Sequence, residues 1–77
     1  MRTRIDVTSY SGYRSDETPR AFLLRNEEIR VSEIVDRWVE EGTTDRTRKR
    51  FFRAKGSDGL IYRLFIDEST GEWFAQE

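Results

Sequence analysis

The sequence predicts an all-β domain: a mainly antiparallel meander of about five strands, folded into a small SH3-like barrel or coiled sheet. Three observations carry this. Turn chemistry recurs at short intervals, first at Gly56-Ser57-Asp58-Gly59 and then at Asp67-Glu68-Ser69-Thr70-Gly71. The runs between the turns are β-branched and aromatic and alternate in polarity. Apolar groups also occur on both faces of the predicted strands. A flat sheet with one wet face has no need of that, whereas a closed or strongly coiled sheet does, as does a sheet with a helix packed on one side.

Taken in order, Ile5 and Val7 lie two apart, so 4–9 reads as a short edge strand. Residues 11–19 have loop composition, and Pro19 pushes Thr18 toward an extended backbone. Arg20 to Arg25 (RAFLLR) is a strand, with Asn26-Glu27-Glu28 as the tight turn behind it. This divides the chain into an N-terminal arm, 1–18, partly ordered, and a single small β domain, 19–77.

Residues 29–40 (IRVSEIVDRWVE) support two readings. Val31, Ile34, Val35, Trp38 and Val39 match the spacing of an amphipathic helix, with Gly42 as its cap. The same residues are β-branched or aromatic, the composition of a strand. A strand needs a bulge near Ser32–Glu33, where strict alternation fails. The alternative architecture is therefore α+β, with a helix at about 31–41 packed on a three-stranded sheet. Residues 47–55 and 60–67 form a hairpin pair, followed by a last strand from Glu72 to Gln76. Phe51 and Phe52 point to opposite faces; Leu60, Tyr62, Leu64 and Ile66 share one face, and Ile61, Arg63 and Phe65 the other.

Composition excludes several functions. The chain of 77 residues has no cysteine and no histidine. Disulfides, zinc fingers, haem ligation, histidine-based nucleophilic catalysis and a histidine pH switch are thereby removed. Stability must come from burying the ten aromatic residues. No apolar run approaches the roughly 20 residues that span a bilayer, and MRTRIDVTSY lacks the apolar region of a secretory signal. The expected location is cytoplasmic, away from membranes. Net charge is −1, but it is strongly segregated: residues 27–45 carry two basic and seven acidic groups, and residues 46–55 carry six basic and none acidic.

A longer pattern runs through the chain: Pro19-x-x-Phe22, Ile29-x-Val31-x-Glu33-Ile34-x-Asp36-x-Trp38, Phe52-Arg53-Ala54, Asp58-Gly59-x-x-Tyr62-x-Leu64 and Thr70-Gly71-x-Trp73. In this it resembles a family of small bacterial domains of uncharacterised function, some associated with DNA-repair polymerases of the translesion type. The resemblance covers 19–74. It implies a small β-meander in which the Trp38 segment is a long bent strand, which favours strand over helix for 29–39. Its motif is apolar and turn residues, so it implies a fold and no chemistry. The basic run at 46–50 lies outside it.

The run RTRKRFFRAKG (46–56) has a functional and a structural reading. In the first, Arg46, Arg48, Lys49, Arg50 and Arg53 contact phosphates while Phe51 or Tyr62 offers a stacking platform. In the second, Phe52 and Ala54 fill the core and the cations pair with Glu33, Asp36, Glu40 and Glu41. Tyr10, Tyr13 and Phe51 are the candidate partner-binding residues, as tyrosine beside arginine is common in interface anchors. Trp38 and Trp73 read as core aromatics. KGSDGL lacks the phosphate-loop spacing and reads as a hairpin turn. Asp36, Glu40, Glu41 and Asp45 offer oxygens to a divalent cation, but their spacing fixes no geometry. No catalytic, cofactor-binding or metal residue is assigned, and a chain of this size leaves little room for a substrate cleft of roughly several hundred Å³. The expected function is a non-enzymatic interaction module that binds a protein partner, or itself, through a sheet face or edge. The alternative is a nucleic-acid-binding accessory domain using 46–53.

Overall fold

A computed structural model describes residues 2–9, 18–42 and 47–76. They form six strands: β1 (Arg2–Ser9), β2 (Pro19–Leu24), β3 (Glu27–Glu41), β4 (Arg48–Gly56), β5 (Ile61–Asp67) and β6 (Glu72–Gln76). All neighbours are antiparallel, and the order β1-β2-β3-β4-β5-β6 closes into a barrel. The all-β meander stands, and the helix at 31–41 does not form. Segment 27–41 is one continuous strand, because its β-branched and aromatic residues find partners along β4. Among the described residues no helix is long and apolar enough to cross a membrane.

Closure brings residues 2–9 into the barrel. Arg2 to Ile5 pair with β6, and Asp6 to Ser9 pair with β2. β1 is thus the strand that shuts the barrel, and the strand count rises from five to six. β3 changes partners in the same way. Glu27 to Arg30 pair with β2, and Val31 to Glu41 pair with β4. Strands that switch neighbours part-way supply the stagger that a closed sheet requires.

The bulge expected near Ser32–Glu33 is present. The β3–β4 register shifts between Val31 and Glu33, and again between Ile34 and Asp36. Each inserted residue bends the strand around the barrel. The Ser32 hydroxyl staples the first bulge by donating to the Lys55 carbonyl at 3.0 Å. The β2–β3 turn falls one residue earlier than the sequence suggested, on Arg25 and Asn26, with φ of 52° and 65°. Two left-handed residues in a two-residue loop match the twist of a hairpin.

The interior is filled by Ile5, Phe22, Leu24, Ile29, Phe52, Leu64, Ile66 and Trp73, with Ala54 and Ala75 as the small residues between them. Alternating large and small groups is how a narrow barrel packs. Each buried large side chain contributes roughly 1.5–3 kcal/mol. Phe52 and Trp73 lie 5.7 Å apart between ring centroids. Among the described residues no buried side-chain polar atom lacks a hydrogen-bond partner.

One polar clamp closes the β4–β5 turn. The Tyr62 hydroxyl donates to Asp58 at 2.5 Å, and the Leu60 amide donates to the same carboxylate at 3.0 Å. These bonds hold the Asp58 carboxyl below its usual range, the Tyr62 hydroxyl contributing most. The same hydrogen bond, which a phenolate could not donate, together with burial and the facing carboxylate charge, pushes the Tyr62 hydroxyl up to about 12 from an ordinary 10. A raised folded value means that the clamp's contribution is complete below pH 10 and is lost as pH rises through about 12. In an alkaline titration followed by phenolate absorbance, one tyrosine step is expected near pH 12. Tyr62→Phe should remove that step and cost about 1 kcal/mol of stability. Asp58→Asn should move the step down toward the ordinary value; a late step that survives Tyr62→Phe would refute the clamp.

Candidate interaction face and edge

The basic run and its acidic neighbours meet in register. Across the β3–β4 ladder, Glu33 stands opposite Lys55, Asp36 opposite Arg53, Glu40 opposite Lys49, and Glu41 opposite Arg48. The structural reading of 46–56 named these four acids. Arg53 reaches Asp36 at 3.3 Å and Arg48 reaches Glu41 at 3.9 Å. Glu68, which sequence reasoning did not name, takes Arg50 at 2.9 Å and Arg48 at 3.7 Å. It lies in the turn after β5, and only the tertiary fold brings it beside β4. Exposed cross-strand pairs contribute roughly 0.2–1 kcal/mol each, so their value lies in fixing register as much as in stability.

The predicted basic residues therefore divide. Arg48 and Arg50 lie on the face of β4 that carries Phe52, toward the barrel end. Lys49 and Arg53 lie on the outer face with Phe51. The four that lie among the described residues are split between two faces. Arg46, Tyr10 and Tyr13 lie outside the described residues, as does Asp45. Asp36 and Glu41 face arginines, and Glu40 accepts a hydrogen bond from the Trp38 indole nitrogen at 3.0 Å. Among the described residues no group of three acidic side chains is arranged around a common cation position.

The outer face carries a second apolar cluster that the sequence did not reveal as a unit. Trp38, Phe51, Phe65 and Phe74 occupy one row across β3, β4, β5 and β6. Their rings stack in sequence: Trp38 on Phe51 at 5.3 Å and 7°, Phe51 on Phe65 at 4.9 Å and 30°, Phe65 on Phe74 at 5.1 Å and 21°. Trp38, expected in the core, is half-buried on this outer face. Phe51 and Phe65 are buried although they lie outside the barrel. Each such pair adds roughly 0.5–1.5 kcal/mol beyond the area it hides. Cations cover the row: Arg2 over Phe74 at 5.2 Å, Lys49 over Phe65 at 5.6 Å and Arg63 over Trp38 at 5.8 Å.

This geometry bears on Phe51 as a stacking platform. A base stacks on a ring face, and both faces of Phe51 are taken by neighbouring rings. Tyr62 is no better placed, since it packs edge-on against Phe22 inside and is bound to Asp58.

The other distinctive feature is an edge. β2 covers only the first four residues of β3 and begins at Pro19, which has no amide hydrogen to extend the ladder. Among the described residues, Glu33 to Glu41 pair with β4 on one side and with no strand on the other. Val35 and Val39 on this stretch are 48% and 44% exposed. The bulges and charges of its first half are devices that restrain unwanted strand pairing. From Arg37 to Glu41 the ladder is regular. The aromatic row ends at this edge, on Trp38.

Compared with family models, curated proteins and solved structures, the chain finds no match.

Proposed function

We propose that the protein is a non-enzymatic interaction module that captures an extended segment of another protein along the outer edge of β3. The carrying observation is the stretch Glu33–Glu41, nine backbone units that are hydrogen-bonded on one side only among the described residues, with Val35 and Val39 exposed beside them. Strand addition draws affinity from main-chain hydrogen bonds and specificity from alternate side chains. A closed barrel suits this role, because it leaves few edges to compete: among the described residues the one-sided stretches of β1, Arg2 to Ile5 and Asp6 to Ser9, are four residues each. The aromatic row and the acid–base ladder support the edge strand from behind and hold it in an ordered, extended state, which lowers the entropic cost of docking.

Two observations weigh against the nucleic-acid reading. Arg48, Lys49 and Arg53 stand opposite acids, and the outer ring faces are occupied.

Selection of extended peptides from a displayed random library, followed by hydrogen exchange on the intact protein, tests the proposal. Selected peptides are expected to protect amides within 33–41 and to lose binding when Val35 and Val39 are both changed to lysine. Both positions are exposed, so that variant should fold. Selected peptides that protect only other segments would sink the edge reading. Single-stranded DNA is expected to show no saturable binding at about 50 mM salt; micromolar binding that collapses with added salt would favour the nucleic-acid module instead.

A further inference from the structure

The outer face of β3 presents an ordered triplet at the open edge: Asp36, Trp38 and Glu40, two residues apart and on one side of the sheet. On its inner flank that triplet already meets a complementary strand. β4 places Arg53, Phe51 and Lys49 directly opposite Asp36, Trp38 and Glu40. The contacts follow the pairing: Arg53 to Asp36 at 3.3 Å and Phe51 stacked on Trp38 at 5.3 Å. β4 thus reads basic-x-aromatic-x-basic against the acidic-x-aromatic-x-acidic of β3, and β3 has a second flank.

We propose that the partner segment taken by the β3 edge carries the same pattern, a basic residue, an aromatic one and a basic one at alternate positions. This rests on the edge reading above and specifies its ligand. The central aromatic would lie against the indole of Trp38 and extend the row of four stacked rings by one, the row being ordered before binding. The flanking cations would stand across from Asp36 and Glu40, which keep acceptor capacity beyond their present bonds because a carboxylate has about four lone-pair sites. The intervening side chains, on the opposite face, would meet Arg37 and Val39, which favours small or β-branched uncharged residues there. A second copy of β3 fits poorly. Residues 33–41 hold four acidic groups and one basic, a net charge of −3, and a copy would bring the same charge against it.

The test uses three labelled peptides: Lys-Thr-Phe-Thr-Arg flanked by threonines, its charge-reversed form Glu-Thr-Phe-Thr-Glu, and Lys-Thr-Ser-Thr-Arg without the ring. Binding to the full chain is followed by anisotropy and the site by hydrogen exchange. The first peptide is expected to protect 33–41 and to bind about tenfold more tightly than either of the others, from cross-strand pairs and one stacked ring. The advantage over the charge-reversed form should shrink at high salt. Glu40→Lys, at an exposed position, should weaken the first peptide and improve the charge-reversed one. Equal affinities with protection at 33–41 would overturn the pattern and leave the edge reading standing. A preference accompanied by protection elsewhere would overturn the pattern at this site. Absence of protection with all three peptides would overturn the pattern and the edge reading together.

Discussion

Phe52→Ala is expected to cost about 3–5 kcal/mol, the range for deleting a buried phenylalanine ring. Marginal stability of about 0.05–0.15 kcal/mol per residue gives a chain of 77 residues roughly 4–12 kcal/mol in total. The single substitution therefore removes a large part of what holds the barrel shut. Phe52 is 1% exposed and sits between Arg37 on β3 and Leu64 on β5. Its ring contacts Trp73 at 5.7 Å, and the Arg37 guanidinium lies over it at 5.9 Å. A narrow closed barrel cannot collapse into the void without shifting several strands at once, so the cost belongs at the upper end. Denaturant unfolding followed by tryptophan fluorescence reads it directly, as a lower midpoint and altered Trp73 emission. Arg48→Ala is the contrasting change. It deletes contacts to Glu41 and Glu68, yet these groups are exposed and the loss should stay within about 0–1 kcal/mol. If the two variants lost equal stability, rings would not be what holds this scaffold together.

Gly56→Ala is the second large effect, expected at about 1–3 kcal/mol, the cost of forcing an extra methyl into a packed site. The reason is proximity and not backbone angle. A methyl group there would lie 2.7 Å from the Asp58 carboxylate, 2.9 Å from the Ile29 side chain and 3.1 Å from the Tyr62 ring. None of the three can yield cheaply. Asp58 is held by Tyr62 and the Leu60 amide, Ile29 is buried in the core, and Tyr62 packs edge-on against Phe22 at 5.1 Å. Relief would break the Asp58–Tyr62 clamp, so the variant should also lower the pH of the late tyrosine step. Gly59→Ala makes a useful comparison. It has open space around it, and any cost there comes from its φ of 86°. A Gly56→Ala variant with unchanged stability and an unchanged tyrosine titration would refute this packing.

The sequence was legible where structure is local. The hairpin turns at 56–59 and 67–71, the strands between them and the last strand all sit within a residue or two of their expected bounds. The bulge near Ser32 was readable from a failure of alternation, because period-two patterning has no other way to keep Val31 and Ile34 facing inward. The acids Glu33, Asp36, Glu40 and Glu41 were readable as partners of the basic run, since opposite blocks of charge on consecutive strands attract. The role of Arg2–Ser9 was not. Its apolar residues are few, and its partner β6 lies at the far end of the chain. The candidate site was legible only in part: the residues of the aromatic row were visible as apolar groups on a second face, but their alignment into one row was not.

Taken alone, the amino-acid order determined the class of object: a β-rich chain without thiols or imidazoles, stabilised by rings, with acidic and basic blocks side by side, and it left 29–40 open between strand and helix. Propensity, alternation and turn chemistry act over a few residues, so one strand's sequence contains them. Tertiary structure decided that the sheet closes, that Trp38 faces outward, and that β3 outruns β2 and leaves nine residues paired on one side only among the described residues. Those outcomes depend on register between strands distant in sequence and on where each neighbour stops, and a strand's own residues do not encode where its neighbours end.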